Sequence, residues 1–125
     1  MQTREIPRTE WKSFFDEFNR QHEGWLATLE VFSSEIGAQE QAHELPLEGV
    51  TVSSQTGTKE EIAISLGKNA DQHVSHTIAE PTHVWVERTP EGANAALEVE
   101  SKDQTKTLLT FRAAVKPELV DGMVS

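Results

Sequence analysis

The clearest pattern along the chain is a row of aromatic residues near its start. Trp11, Phe14, Phe15 and Phe18 recur at the spacing i, i+3, i+4 and i+7, which places all four side chains on one face of a helix. They are four of the eight aromatic residues of the protein. Because so much aromatic surface must leave water, the pattern predicts a helix over about residues 8–22 that packs on the rest of the chain.

The remainder of the chain shows mostly the period-two alternation that is typical of strands. Apolar side chains alternate in residues 25–32, 61–66, 97–99 and 107–111. Residues 38–47 are compatible with a helix or a strand, and we interpret them as a strand that ends near Pro46. Gly49 interrupts the apolar cluster that follows, which predicts a bend or bulge there.

In residues 74–86 one set of side chains keeps even parity on both sides of Pro81. This continuity fits a hairpin with the loop 79–81, and it fits one long strand bent at Pro81. In both structures Trp85, His83 and Glu87 point away from the core. The side chains predicted to point inward are Val74, His76, Ile78, Thr82, Val84 and Val86.

The last two strands should form a hairpin. A three-residue loop at residues 103–105 would place Val99 opposite Leu109 and Leu97 opposite Phe111. We predict this register because all four apolar side chains then share the core face.

One helix followed by six or seven short strands predicts an α+β fold with an antiparallel sheet that curls into a small barrel. An open curved sheet with the helix laid across one face is the alternative. The length of 125 residues fits a single domain, residues 1–125. Within it we expect an arm at residues 1–6, a β body over about 25–112, a polar loop at 53–59 and a tail at 113–125.

Charge limits the possible partners. The net charge is −10, and residues 23–100 hold fourteen acidic but only three basic side chains. Such a field repels nucleic-acid phosphates and anionic lipids, so we expect neither nucleic-acid nor membrane binding. The acidic residues serve solubility, or they form a face that docks a basic partner. With no cysteine, no apolar run of membrane-spanning length and no signal peptide, we expect a cytoplasmic protein.

No catalytic or cofactor motif is recognisable. The sequence contains no nucleophile elbow and no glycine-rich phosphate loop, so we predict a protein that is not an enzyme and holds no cofactor. His73, His76 and His83 are close enough in sequence to be considered as metal ligands. Their parity argues against a metal site, because His76 points inward whereas His73 and His83 point outward.

Trp85 is the large aromatic residue whose parity places it outward, beside His83 and Glu87. A tryptophan flanked by polar groups is a common interface anchor. The alternative is that Trp85 lies beneath the helix or a loop.

Several stretches, in order, carry a resemblance to a known family. They are TREIPRTEWKSFFDEF, HEGWLATLEV, IGAQ, LPLEGV, HTIAEPTHV, ALEVES and TLLTF. The chain resembles an uncharacterised bacterial family of small single-domain proteins of unknown function, with a Pro-Arg-x-x-Trp helix before a β-rich body. The resemblance implies a bacterial, free-standing cytoplasmic domain and brings no activity.

Taken together, these observations favour a non-enzymatic interaction module that binds a protein partner or associates with itself. A small RNA-binding barrel is the alternative by architecture, and the charge opposes it. A protein that binds a small ligand or a metal through the sheet interior and His76 is the other alternative.

Overall fold

The computed structural model of the protein describes residues 2–54 and 60–112. The predicted tail at 113–125 and most of the predicted loop at 53–59 lie outside these ranges. The elements in chain order are β1 (Gln2–Glu5), a 3₁₀ turn (Arg8–Glu10), α1 (Trp11–His22), β2 (Leu26–Ser33), β3 (Gly37–Ser54), β4 (Glu60–Gly67), β5 (His73–Ala79), β6 (Pro81–Arg88), β7 (Asn94–Ser101) and β8 (Lys106–Phe111).

The strands form one antiparallel sheet in the order β1-β6-β7-β8-β2-β3-β4-β5. The prediction of a helix followed by an antiparallel sheet is confirmed, but the predicted closure into a barrel is wrong. β1 and β5 end the order, and in the part of the chain that the structure describes they do not pair with each other. β6 uses its two edges for β7 and β1, so it offers none to β5.

The sheet has eight strands, not six or seven, partly because the expected N-terminal arm is a strand. Gln2 pairs with Arg88 and Glu5 pairs with Trp85, so β1 adds to the edge of β6. The side chains of β1 are all exposed and show no apolar alternation. Main-chain hydrogen bonds to an open edge are enough to order such a segment, and side-chain patterning does not reveal it.

The chain between His73 and Arg88 is two strands joined by a sharp bend. Glu80 has φ 51° and is the single residue between β5 and β6. β5 pairs with β4, whereas β6 pairs with β7 and β1, so the two are not a hairpin. Of the two structures left open by the sequence, the bent strand is the one observed.

α1 covers the inner face of the sheet with its aromatic row. Trp11, Phe15 and Phe18 are each at most 2% exposed, and Phe14 packs on the same core. The indole N–H of Trp11 donates to the carbonyl of Ile6 over 2.9 Å, so its polar atom is satisfied. The predicted role of this row in closing the core is confirmed.

β3 does not end at Pro46 as expected but continues to Ser54. It pairs with β2 in its first part and with β4 in its second, with a register shift between Leu47 and Gly49. Asn19 of α1 accepts a hydrogen bond from the amide of Val50 and donates one to its carbonyl, each over 2.8 Å. The side chain of Asn19 therefore pairs with the backbone beside the bulge predicted at Gly49.

The last residue of α1 is a fully buried histidine. Nδ1 of His22 lies 2.7 Å from the carbonyl oxygen of Phe18, which places its proton on Nδ1. The ring stacks on Phe111 with a centroid separation of 4.8 Å and meets Trp25 edge-on at 4.6 Å. Nε2 is buried without a hydrogen-bond partner among the described residues. Burial lowers the pKa of His22, and the hydrogen bond to Phe18 opposes this only in part.

The hairpin between β7 and β8 has a different register from the one predicted. Leu97 lies opposite Leu109 and Val99 opposite Thr107, two residues away from the expected pairing. The amide of Ser101 donates to the carbonyl of Thr105 over 2.9 Å, so the loop has three residues but begins one residue earlier than predicted.

Hydrogen bonds within this loop explain its position. The hydroxyl of Ser101 and the amide of Thr105 both donate to Oδ1 of Asp103. Gln104 takes φ 70°, the left-handed conformation that such a loop needs at its third residue. A shift of two residues preserves the inward face, so Leu97, Val99, Leu109 and Phe111 are all buried as predicted.

Truncation of the aromatic row tests its importance. We expect Phe15→Ala and Phe18→Ala each to lower the free energy of unfolding by roughly 3–5 kcal/mol, through lost burial plus the cavity left behind. Urea denaturation measures the loss. Lys12→Ala is the matched control on the same helix, because its side chain is 82% exposed. Losses below about 1 kcal/mol for both phenylalanine variants would contradict the importance we assign to this row.

The buried histidines predict a dependence of stability on pH. Burial lowers the pKa values of His22 and of half-buried His76. These histidines take up protons at a higher pH in the unfolded state than in the folded state. The free energy of unfolding should therefore be highest above about pH 6.5, and it should fall as the pH drops toward the lowered pKa values of the folded state. Urea denaturation at about pH 7.5 and about pH 5.5 measures the difference.

Substitution separates the contribution of His22 from those of the other histidines. His22→Phe preserves an aromatic ring in the cluster and should reduce the loss of stability at low pH. His43→Gln, at a position where the side chain is 67% exposed, should leave that loss unchanged. An unchanged pH dependence in His22→Phe would show that His22 does not contribute to it.

Candidate interaction surface

The face of the sheet that points away from α1 carries the residues that the sequence suggested as an interface. Val84 and Val86 of β6 are buried in the same core as the helix aromatics. Because side chains alternate along a strand, His83, Trp85 and Glu87 point to the opposite face. Trp85 is half-buried there, and it lies on the opposite side of β6 from the helix.

Side chains from two strands hold Trp85 in place. The imidazole of His83 stacks on its ring with a centroid separation of 5.2 Å and an interplanar angle of 17°. Nδ1 of His83 lies 2.7 Å from a carboxylate oxygen of Glu5 on β1. The predicted arm is therefore part of the surface, since it supplies the carboxylate that orients His83.

Strand register places Trp85 in a row of alternating acidic and apolar residues across the sheet. Glu5 pairs with Trp85, Trp85 with Glu98, Glu98 with Leu108, and Leu108 with Glu30. Glu30 in turn pairs with Glu40 on β3. Glu5, Glu98 and Glu30, which are far apart in sequence, thus lie in one row on every second strand.

We use the name acidic face for this row together with the acidic residues beside it. Lys106 lies in the adjoining row, where it pairs with Glu100 and Phe32. Nothing in the part of the chain that the structure describes forms an ion pair with Glu30, Glu87, Glu98 or Glu100. The acidic face consists of Glu5, Glu30, Glu40, Glu87, Glu98 and Glu100 with Trp85 and Leu108.

This arrangement suits recognition of cations. An indole ring attracts an ammonium or guanidinium group placed over its face, and arginine adds planar hydrogen bonding to a carboxylate. Trp85 has a glutamate directly opposite it on each neighbouring strand, Glu5 on one side and Glu98 on the other. A basic side chain approaching the ring would meet both kinds of group.

Sequence reasoning identified Trp85, His83 and Glu87 but missed their neighbours Glu5, Glu98 and Leu108. Period-two alternation places each of these residues outward on its own strand. Their proximity depends on strand order and register, which alternation does not encode. The surplus of acidic residues within residues 23–100 was a signal for Glu98, but Glu5 and Leu108 lie outside that range.

The three histidines considered as metal ligands do not come together. His73 is exposed and its Nε2 lies 2.8 Å from Glu48, while His83 pairs with Glu5. His76 lies half-buried on the other face of β5 from His73. Within residues 2–54 and 60–112 no group of three or more histidine, cysteine, aspartate or glutamate side chains is arranged to hold a metal ion.

The hydrogen bonds of the histidines also give no catalytic pair. His43, His73 and His83 contact carboxylates, and His22 contacts a backbone carbonyl. Activation of a serine or threonine nucleophile requires a base within hydrogen-bond reach of the hydroxyl. Among residues 2–54 and 60–112, none of these four imidazoles has such a contact.

The fold and this surface define a small α+β protein whose antiparallel sheet is covered by a helix on one face and carries an acidic face on the other. The chain belongs to the family of unknown function DUF5335, whose family model matches residues 2–119. It is also similar to an uncharacterised protein of Aquifex aeolicus, with 28% identity over 115 residues that cover 92% of this chain and 96% of that protein. The predicted resemblance to an uncharacterised bacterial family is confirmed.

No solved structure matches the chain. Neither the family nor the relative brings an activity, so any function must be argued from the surface itself. No helix within the described ranges is long and apolar enough to cross a membrane.

Proposed function

We propose that the protein is a non-enzymatic interaction module whose acidic face binds a basic segment of a partner protein. The observation that supports this most directly is the row Glu5, Trp85, Glu98, Leu108 and Glu30. It combines an aromatic anchor with carboxylates on every second strand, and two of them, Glu98 and Glu30, have no ion-pair partner among the described residues. We place this single domain in the bacterial cytoplasm, in keeping with its family and its lack of cysteine.

The spacing of the row favours a helix as the docked element. Neighbouring strands lie about 4.8 Å apart, so the acidic residues on every second strand repeat at about 9.6 Å. Basic residues seven apart in a helix are separated by about 10.5 Å, with an apolar position midway between them. The acidic and apolar positions of the row therefore match a basic amphipathic helix that crosses the strands.

A synthetic helical peptide with arginine at every seventh position and leucine midway tests the proposal. We expect binding to shift the NMR signals of the Trp85 indole and of Glu98, and to weaken with added salt because exposed charges are screened. A peptide with glutamate in place of arginine should not bind. Binding that is equally strong for both peptides would contradict the role of charge.

Two variants of the protein locate the binding site. Trp85→Ala and Glu98→Lys should each weaken binding by about tenfold, which corresponds to about 1.4 kcal/mol. Glu23→Lys makes the same charge change at the end of α1 and should change the affinity less than twofold. If Glu23→Lys weakens binding as much as Glu98→Lys does, only net charge matters and the acidic face is not the site.

The charges of the protein also predict that it does not bind nucleic acids. The residues that could have formed a basic patch, Arg4, Arg8, Lys12 and Arg20, are each in an ion pair with a carboxylate. We expect no binding to labelled RNA or DNA tighter than about 1 μM at physiological salt, as measured by fluorescence anisotropy. Tighter binding would support the RNA-binding alternative instead.

A further inference from the structure

β5 is an edge strand with an open side. It pairs with β4, and no other strand of the described ranges pairs with it. The hydrogen bonds at the two ends of β5 show which main-chain groups point to its open side. The amide of Glu80 donates to the carbonyl of Glu60, and the amide of Lys68 donates to the carbonyl of Gln72.

These two bonds fix the direction of every amide in between. Hydrogen-bonded and non-hydrogen-bonded pairs alternate along an antiparallel ladder. Positions 74, 76 and 78 therefore bond to β4, whereas the N–H and C=O groups of Ser75 and Thr77 point to the open side. β5 thus presents a row of donors and acceptors to a further strand.

β5 also lacks the features that protect other edges. Natural edge strands are usually short, or carry charged residues, proline or a bulge. β1, at the other end of the sheet, has four residues and includes Arg4 and Glu5. β5 has seven residues, with the sequence HVSHTIA, and contains no acidic residue, lysine, arginine or proline.

The surface next to this edge is neutral as well. The outward side chains in the middle of β4 and β5 are small and uncharged, and the charged groups lie toward the ends, where Glu61 stands on β4 and His73 contacts Glu48. In a chain with a net charge of −10, this is where two copies could meet with little repulsion. These small outward residues are Ala63, Ser65, Ser75, Thr77 and Ala79.

We propose that two copies of the chain form a symmetric dimer by antiparallel pairing of β5 with β5. The two-fold axis passes beside His76, so that the imidazoles of the two copies lie opposite each other. Val74 then lies opposite Ile78 of the second copy, and Ser75 lies opposite Thr77 of the second copy. This register pairs all seven residues of the strand and places apolar side chains against each other on the inner face.

The geometry favours this dimer over a head-to-tail assembly. Pairing of β5 with β1 of another copy would involve only the four residues of β1 and would not close. The β5 pairing uses the same strand on both copies, so the assembly closes as a dimer. One strand pair buries a small interface, so the dimer should be weak and should depend on concentration.

Cysteine crosslinking tests the register directly, because the natural chain contains no cysteine. A non-hydrogen-bonded pair brings opposed Cα atoms to about 4.5 Å, within the range of about 4.4–6.8 Å that a disulfide requires. Under mild oxidation His76→Cys should form a covalent dimer at least about tenfold faster than Thr51→Cys, an exposed position on β3 away from the edge. Equal rates for the two variants would overturn the proposal, as would faster crosslinking of Ser75→Cys.

A second measurement follows the association in solution without crosslinking. Sedimentation velocity should show a reversible monomer–dimer equilibrium, and Thr77→Pro should weaken the association by about tenfold or more. Proline at this position removes an N–H that points to the open side and leaves the ladder to β4 intact. Circular dichroism checks that the variant is folded.

Two results of this measurement would overturn the proposal. One is a wild-type protein that stays monomeric at concentrations up to about 1 mM. The other is a monomer in which the Thr77 amide exchanges slowly with solvent, because another part of the same chain would then cover the edge. Slow exchange that appears only in the dimer is the expected result.

Discussion

Burial of the aromatic row of α1 is the interaction on which the rest of the structure depends. Trp11, Phe15 and Phe18 are almost completely buried, and each aromatic side chain of this kind removes roughly 150–250 Å² from water. The side chains they cover include Val84 and Val86, which face inward from β6. Because one face of the sheet is committed to this contact, the other face is available for polar and charged residues.

Polar contacts then fix where the helix lies. The two hydrogen bonds between Asn19 and Val50 join α1 to β3 beside the bulge, where main-chain groups would otherwise lack partners. Gly24, at φ 87°, ends the helical course and donates its amide to the carbonyl of Leu47. The end of the helix and the bulge in β3 thus hold each other in position. Aromatic burial supplies most of the stabilisation, and these bonds supply the position.

The sequence predicts well which face of the sheet a side chain occupies, but poorly which residue lies opposite it on the next strand. Alternation correctly places Leu97 and Val99 inward, because burial acts on each strand separately. It does not predict that Leu97 lies opposite Leu109, because that register is set by hydrogen bonds of Ser101 and Asp103 in the loop. A register shifted by two residues buries the same side chains, so the hydrophobic pattern does not distinguish the two pairings.

The same limit explains what was missed at the candidate surface. Trp85 is recognisable as an outward aromatic from its own strand alone. Glu5 is recognisable as its neighbour only once β1 is known to pair with β6, and nothing in the polar sequence of β1 predicts a strand. The predicted barrel is not confirmed either, because β1 and β5 stand at the two ends of the strand order and do not pair with each other in the described part of the chain.

The outward surface of the sheet is divided by charge, and the division follows strand order. The carboxylates that have no ion-pair partner among the described residues lie on β6, β7 and β2, whereas the outward residues of β4 and β5 are mostly small and neutral. Strand order places β3 between Glu30 on β2 and the small residues of β4 and β5. A basic partner on the acidic face and a second copy at β5 would therefore occupy separate surfaces. Because a bound cationic segment would neutralise part of the repulsion between two copies, occupation of the acidic face should favour pairing at β5 and not compete with it.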